Sequence, residues 1–258
     1  MTRVLSALAL LPVVIGTIWL LPPVGTLVLA VLALVGGGVE YLGLSRAFGA
    51  IVPGPLVVVA VLVVAIAVAY DVTLVGLVTT GLALSIVSLT TARRGKELLL
   101  DVSASLLPLV YLGVPVGVLV QLRMTEGAGV VLLVLATIMV SDTAQYYGGR
   151  WLGRRPLAPA ISPGKTIEGA LFGLAAGALF MGLVGSTVIS GPTAGSSALV
   201  GVLLVALGIA GDLFESQLKR GAGVKDASGL IPGHGGVLDR IDSLLFAAPG
   251  FYLWLMLG

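Results

Sequence analysis

The run KDASGLIPGHGGVLDRIDS, residues 225–243, holds three aspartates, a lysine, an arginine and the only histidine of the chain. The other residues around it are of a different kind. The chain has 258 residues, of which 58% are hydrophobic and only 10% charged, and its mean hydropathy is +1.15. Its apolar stretches approach the roughly 20 residues that one bilayer crossing requires. Membrane strands would alternate apolar and polar positions in segments of about ten residues, whereas these runs are continuously apolar and rich in Leu, Val, Ala and Gly. The sequence therefore specifies an all-α polytopic membrane protein, and the polar run is an interruption that lipid would not tolerate without a function. Cysteine is absent, which excludes disulfides and thiolate metal sites.

Outward from this run, the apolar stretches predict about nine transmembrane helices, near 4–21, 24–40, 55–70, 73–91, 104–122, 128–148, 167–189, 196–213 and 241–257. Pro22 and Pro23 break what would otherwise be one long run, and Pro53 with Pro55 marks the entry to the third helix. Arg3 precedes an apolar stretch, as in a signal peptide, but the stretch is long and no small-residue cleavage site follows it, so we read a helix. The charges test the count independently. With the N-terminus in the cytoplasm, the inside segments carry Arg3; Arg46; Arg93, Arg94 and Lys96; Arg150, Arg154, Arg155 and Lys165; and Lys219, Arg220, Lys225 and Arg240. Of the 14 basic residues only Arg123 falls outside, which is the asymmetry of the positive-inside rule. The expected topology is N-terminus in, C-terminus out, with the polar segments 149–166 and 214–240 cytoplasmic. No repeat is evident. We read 1–258 as a single integral membrane domain, with a hydrophobic helical part at 1–140 and catalytic helices and cytoplasmic loops at 141–258.

After residue 141 acids appear at the ends of apolar helices: Asp142, Asp212, Asp239 and Asp242. An aspartate deep in a bilayer costs about 2.5 to 3.5 kcal/mol on insertion scales, so such residues face a cavity or a partner unless they reach the interface. In GDLFESQLKR, residues 211–220, Asp212, Ser216 and Lys219 share one face if the eighth helix continues that far. Asp239 and Asp242 share another at i, i+3. Paired carboxylates suit a hard cation such as Mg²⁺ completed by water and phosphate, although an acid in a first helical turn also complements the macrodipole without a ligand. The intervening GAGVKDASGLIPGHGG is a glycine-rich loop whose backbone can approach a ligand and present N–H groups to anionic oxygens. Acids alternating with Lys219, Arg220, Lys225 and Arg240 point to a metal-bridged polyphosphate rather than to a simple ion path. SPGKT, residues 162–166, ends like a P-loop. That motif needs a glycine where Pro159 stands and a preceding strand, which is not expected here. SPGKTIEG reads instead as a helix entry capped by Ser162 or Thr166, with Glu168 in the first turn and Lys165 free to reach a phosphate.

The array from Ser216 to Asp242, S-x-x-K-R-x4-K-D-x-S-x-x-x-P-G-H-G-G-x-x-D-R-x-D, resembles the signature of the CDP-diacylglycerol synthases, or phosphatidate cytidylyltransferases. SDTAQYYGGRWLGRRPLAPAISPGKTIEG (141–169) and GDLFES are similar to the segments before that signature. The first 140 residues resemble the family only in hydrophobicity and in the Glu40–Tyr41 pair. The resemblance implies the reaction of CTP with phosphatidate in the bilayer to give CDP-diacylglycerol and pyrophosphate. It places catalytic roles on Asp212, Asp239, Lys219, Lys225, Asp226, Arg240 and His234. Substrate contacts fall on Asp142, Ser162, Lys165, Ser216, Arg220 and Asp242, and metal ligation on Asp212, Asp239 and Asp142. It further implies Mg²⁺, a second cation such as K⁺, a homodimer, no nucleic-acid partner, and a multi-pass protein of the inner (plasma) membrane with its site facing the cytoplasm. His234 reads as a holder of the loop ahead of a phosphate contact. The alternatives are a CDP-archaeol synthase, a polyprenol kinase-like transferase and an ion-coupled transporter.

Overall fold

The computed structural model describes residues 2–91, 93–231, 233 and 235–257, with the side chains of residues 2–9 outside that description. Among the described residues nine helical rods follow one another. They are α1 (Thr2–Leu20), α2 (Pro23–Ala47), α3 (Gly54–Ala69), α4 (Thr73–Thr91), α5 (Glu97–Thr125), α6 (Ala128–Leu152), α7 (Ile167–Val188), α8 (Ala194–Gly221) and α9 (Leu238–Leu257). Seven of them are long and apolar enough to cross a membrane; Gly54–Ala69 and the apolar part of α1, Leu10–Leu20, are shorter. The chain is thus an all-α polytopic membrane protein. α8 does continue through the Asp212–Lys219 face, and α9 starts early enough to carry Asp239.

The chain divides into two compact units, Met1–Thr125 with Leu218–Ile241, and Glu126–Gln217 with Asp242–Gly258. α8 and α9 contribute residues to both. In the first unit α3 is the core: Val57, Val61, Val64 and Val68 are at most 2% exposed and recur at helical spacing. Lipid offers no hydrophobic drive between helices, so close packing of small residues does the work. A Cβ on Gly117 of α5 would stand 2.6 Å from the Ala65 carbonyl oxygen, and one on Gly113 would stand 3.1 Å from that of Val61. Overpacking of this kind costs about 1–3 kcal/mol. Pro108 lies inside α5 and is followed by a π-helical turn at Leu109–Gly113; the Ala104 carbonyl, to which a proline at 108 cannot donate, accepts the Tyr41 hydroxyl at 3.1 Å. Arg123, the one base expected outside, donates to the Ile18 and Leu21 carbonyls at 3.0 and 2.9 Å. It thereby satisfies orphan groups at the end of α1.

The second unit is packed through glycine as well. Cβ atoms on Gly169 and Gly173 of α7 would collide with Gln145 of α6, and one on Gly211 of α8 would stand 2.5 Å from the Asp242 carbonyl of α9. Between α6 and α7 lies a two-stranded antiparallel hairpin, β1 (Pro156–Ala158) and β2 (Ser162–Thr166). The expectation of no strand before SPGKT is corrected here, since SPGKT is itself β2 and α7 begins only at Ile167. The hairpin forms because Glu168 accepts the Arg154 and Arg155 N–H groups at 3.0 and 3.2 Å, drawing the two ends of the segment together. Thr166 is the N-cap, accepting from the Gly169 N–H at 3.1 Å.

Candidate functional site

In the first unit, the end of α8, the glycine-rich loop and the start of α9 are organised by two buried carboxylates. Asp239, in the first turn of α9, receives the Lys219 ammonium on Oδ1 at 2.5 Å. Its Oδ2 accepts the N–H groups of Ala227 and Gly236 at 2.9 and 2.7 Å. Glu40, only 5% exposed on α2, accepts the Ser228 hydroxyl at 2.6 Å and the Val237 N–H at 3.0 Å on Oε1. Its Oε2 accepts the Leu238 N–H at 2.8 Å, so it caps α9 from another helix. A buried carboxylate needs its oxygens paired or hydrogen-bonded: Asp239 has an ammonium and two backbone donors, and Glu40 has three hydrogen bonds.

These carboxylates explain the glycines. Gly235 has φ +76°, and a Cβ there would stand 2.7 Å from Asp239 Oδ2; a Cβ on Gly236 would overlap the Glu40 carboxylate. Four loop N–H groups that could have faced an external anion are therefore spent on Asp239 and Glu40. Lys225, Asp226 and Arg240 are exposed. Arg220 is exposed too, and one of its guanidinium nitrogens donates to the Val224 carbonyl at 3.1 Å, closing the first turn of the loop. His234 lies outside the described residues.

In the second unit Lys165 of β2 pairs with Asp212 of α8 at 2.6 Å, and the Ser216 hydroxyl donates to Asp212 Oδ1 at 3.3 Å. Unlike the Lys219–Asp239 pair, this one is partly open, with side-chain exposures of 22% and 31%. Asp142 is exposed on α6, with the Gln145 amide donating to it at 3.1 Å. Ser162 is half-buried and pairs with Ala158 across the hairpin. Asp242 Oδ1 accepts the N–H of Ser243 at 2.7 Å. Among the described residues no three carboxylate or imidazole groups gather at one point in a way that could hold a metal ion.

Sequence reasoning did not include Glu40 among the site residues, although an acid inside an apolar helix is a signal on its own. Glu40→Gln replaces one acceptor oxygen by an amide donor that must face either the Leu238 N–H or the Ser228 and Val237 donors. An unsatisfied buried group costs about 1–3 kcal/mol. Proteolytic cleavage in the 222–237 loop is therefore expected to rise about tenfold in this variant; cleavage at the wild-type rate would show that Glu40 does not hold the loop.

A family described as "Cytidylyltransferase family" matches residues 1–257. The chain is 41% identical to the phosphatidate cytidylyltransferase of Helicobacter pylori over 59% of its own length and 57% of that protein. It is 39% identical to the enzyme of the same name from Synechocystis over 61% and 63%, and 42% identical to that of Haemophilus influenzae over 49% and 45%. In each comparison the chain spans less than two thirds of the relative.

Proposed function

Because the chain belongs to the cytidylyltransferase family, we propose that it transfers the cytidylyl group of CTP to phosphatidate, giving CDP-diacylglycerol and pyrophosphate. One observation carries this reading. Lys219, Arg220, Lys225 and Arg240 cluster within a single compact unit, where the end of one apolar helix meets the start of another across a loop braced by two carboxylates. Cations at such a boundary can hold a phosphate whose hydrocarbon stays in lipid while the nucleotide arrives from water.

The chemistry needs no strong base. A phosphate monoester has a second pKa near 6, so the phosphatidate oxygen is already largely anionic at pH 7. That oxygen attacks the α-phosphorus of CTP, the bond from the α-phosphorus to the bridging oxygen breaks, and pyrophosphate leaves with the electron pair. The task of the protein is positioning and charge neutralisation. Lys219, oriented by Asp239, and Arg220, Lys225 and Arg240 neutralise phosphate oxygens. In the second unit Lys165 and Ser216, beside Asp212, are the substrate contacts of this reading.

The donor chemistry also bears on Mg²⁺. The Asp239 side chain is 5% exposed and takes Lys219 and two backbone donors, which leaves it ill suited to a metal, whereas that of Asp212, beside Lys165 and Ser216, is 31% exposed and could take a water-completed Mg²⁺; Asp142, exposed on α6, is a second carboxylate of the same unit. Bound there, Mg²⁺ would lower the repulsion between the two anionic substrates.

The reading further places the protein in the inner membrane with the 149–166 segment in the cytoplasm. Because the chain has no cysteine, one introduced thiol reports topology. Gly153 is unusable, since a Cβ there would run into the Gly149 carbonyl and Thr166, whereas Ala160 is exposed at the hairpin turn. Ala160→Cys is expected to react with an impermeant maleimide in inside-out vesicles only; labelling in intact cells would reverse the orientation. The reaction itself is tested in membranes supplied with CTP and phosphatidate. CDP-lipid that depends on both is expected, and CDP-lipid formed only with an archaeol phosphate would shift the substrate to an ether lipid.

A further inference from the structure

We propose that a cavity between α2 and α5 in the first unit seats one acyl chain of the lipid substrate, an inference that rests on the phosphatidate reading above. From Tyr41 to Phe48, α2 lines the cavity at i, i+3, i+4 and i+7, and α5 repeats that spacing from Leu100 to Leu107. Each wall is thus one complete helix face, with a rise of about 10 Å. Its volume is about 210 Å³ and it is an open groove rather than an enclosed hole, with Phe48, Leu100 and Leu107 36–43% exposed. It stays open because Ser45, Ala50, Ser103 and Ala104 are too small to fill it.

The wall is chemically hydrocarbon even where the residue names are polar. The Tyr41 hydroxyl donates to the Ala104 carbonyl at 3.1 Å, Ser45 to the Tyr41 carbonyl at 2.9 Å and Ser103 to the Leu100 carbonyl at 3.1 Å. Each proton is spent within the helices. A water needs two to four polar partners, and a nucleotide would need more, so an alkyl chain is the occupant that matches. The location matches as well. Leu218 closes the cavity next to Lys219, and the Phe48 ring lies where a Cβ on Gly221 would strike it. The cavity thus ends at the helical turn that carries Lys219 and Arg220. A phosphatidate whose phosphate rests on those cations has its chain beginning at the cavity mouth.

A phosphatidate carrying a diazirine at the end of one acyl chain, photolysed with the full chain in lipid nanodiscs, tests the seat without relying on turnover. Crosslinks are expected in residues 41–48 or 100–107, and they should be suppressed by excess long-chain phosphatidate but not by phosphatidylcholine. Crosslinks confined to other segments, or equal suppression by phosphatidylcholine, would overturn the proposal, the second outcome marking a site for structural lipid. Ala104→Leu fills the cavity. It is expected to raise KM for dipalmitoyl phosphatidate about tenfold, the effect of excluding about two methylenes, while KM for CTP and the response to a dihexanoyl substrate change less than twofold. Leu107→Ala, which only removes atoms, serves if the larger side chain prevents folding and should raise the same KM about fourfold. Equal effects on short and long chains would overturn the seat. If the wild-type chain made no CDP-lipid, the functional reading would fail while the crosslinking pattern still decided the seat.

Discussion

Asp239→Asn is expected to lower CDP-lipid formation about a thousandfold, the upper range for losing a preorganised charge-stabilising group, while leaving the helices folded and inserted. The carboxylate has two acceptor oxygens, one held by Lys219 and the other by the Ala227 and Gly236 N–H groups. Asparagine has one acceptor and one donor. If its oxygen keeps the two backbone donors, its amide faces the ammonium; if it turns, two backbone donors face an amide. In either rotamer Lys219, only 7% exposed, loses the charge of Asp239. Breaking a buried pair by removing one partner costs about 3–5 kcal/mol, and here the cost falls on the loop and the end of α8. Turnover measured beside the circular-dichroism helix content checks the prediction. Wild-type turnover in the variant would remove Asp239 from the reaction.

Asp212→Ala is expected to lower the rate by about a hundredfold and to raise the Mg²⁺ concentration giving half-maximal rate at least tenfold. Asp239→Asn should leave that Mg²⁺ dependence unchanged, because the Asp239 side chain is buried, 5% exposed against 31% for Asp212. Because Asp239 acts through Lys219 and Asp212 through Mg²⁺, the two losses should multiply in the double variant. A double variant no worse than the less active single variant would show that the two residues act as one unit. Excess chelator should stop the reaction; turnover at the wild-type rate under chelation would leave the basic side chains as the only charge neutralisers.

The helical rods were legible because Pro22, Pro23, Pro53 and Pro55 punctuate continuous apolar runs. Their ends were not. Hydropathy places the end of α8 near 213, whereas the helix runs to Gly221, its polar last turns carrying Ser216, which donates to Asp212, and Lys219, which pairs with Asp239 of α9. The hairpin was missed because β1 has only three residues and what closes it, Glu168 reaching back to Arg154 and Arg155, is a contact across the turn rather than a local propensity. The loop was legible as glycine-rich, but not why. The bond from Leu238 to Glu40 joins residues 198 apart, and no spacing within residues 225–243 announces it. The same glycines that read as a cradle for an external anion are there because two of the protein's own carboxylates close on them.

The central claim is that the α-phosphorus of CTP moves to a lipid. Purified protein in nanodiscs containing phosphatidate and Mg²⁺, given CTP labelled in turn at the α- and γ-phosphorus, tests it directly. The account predicts α-label in the lipid fraction and γ-label in pyrophosphate, in equal amounts. Gamma-label in lipid would mean phosphoryl transfer by a kinase and would contradict the account, as would the absence of α-label from lipid.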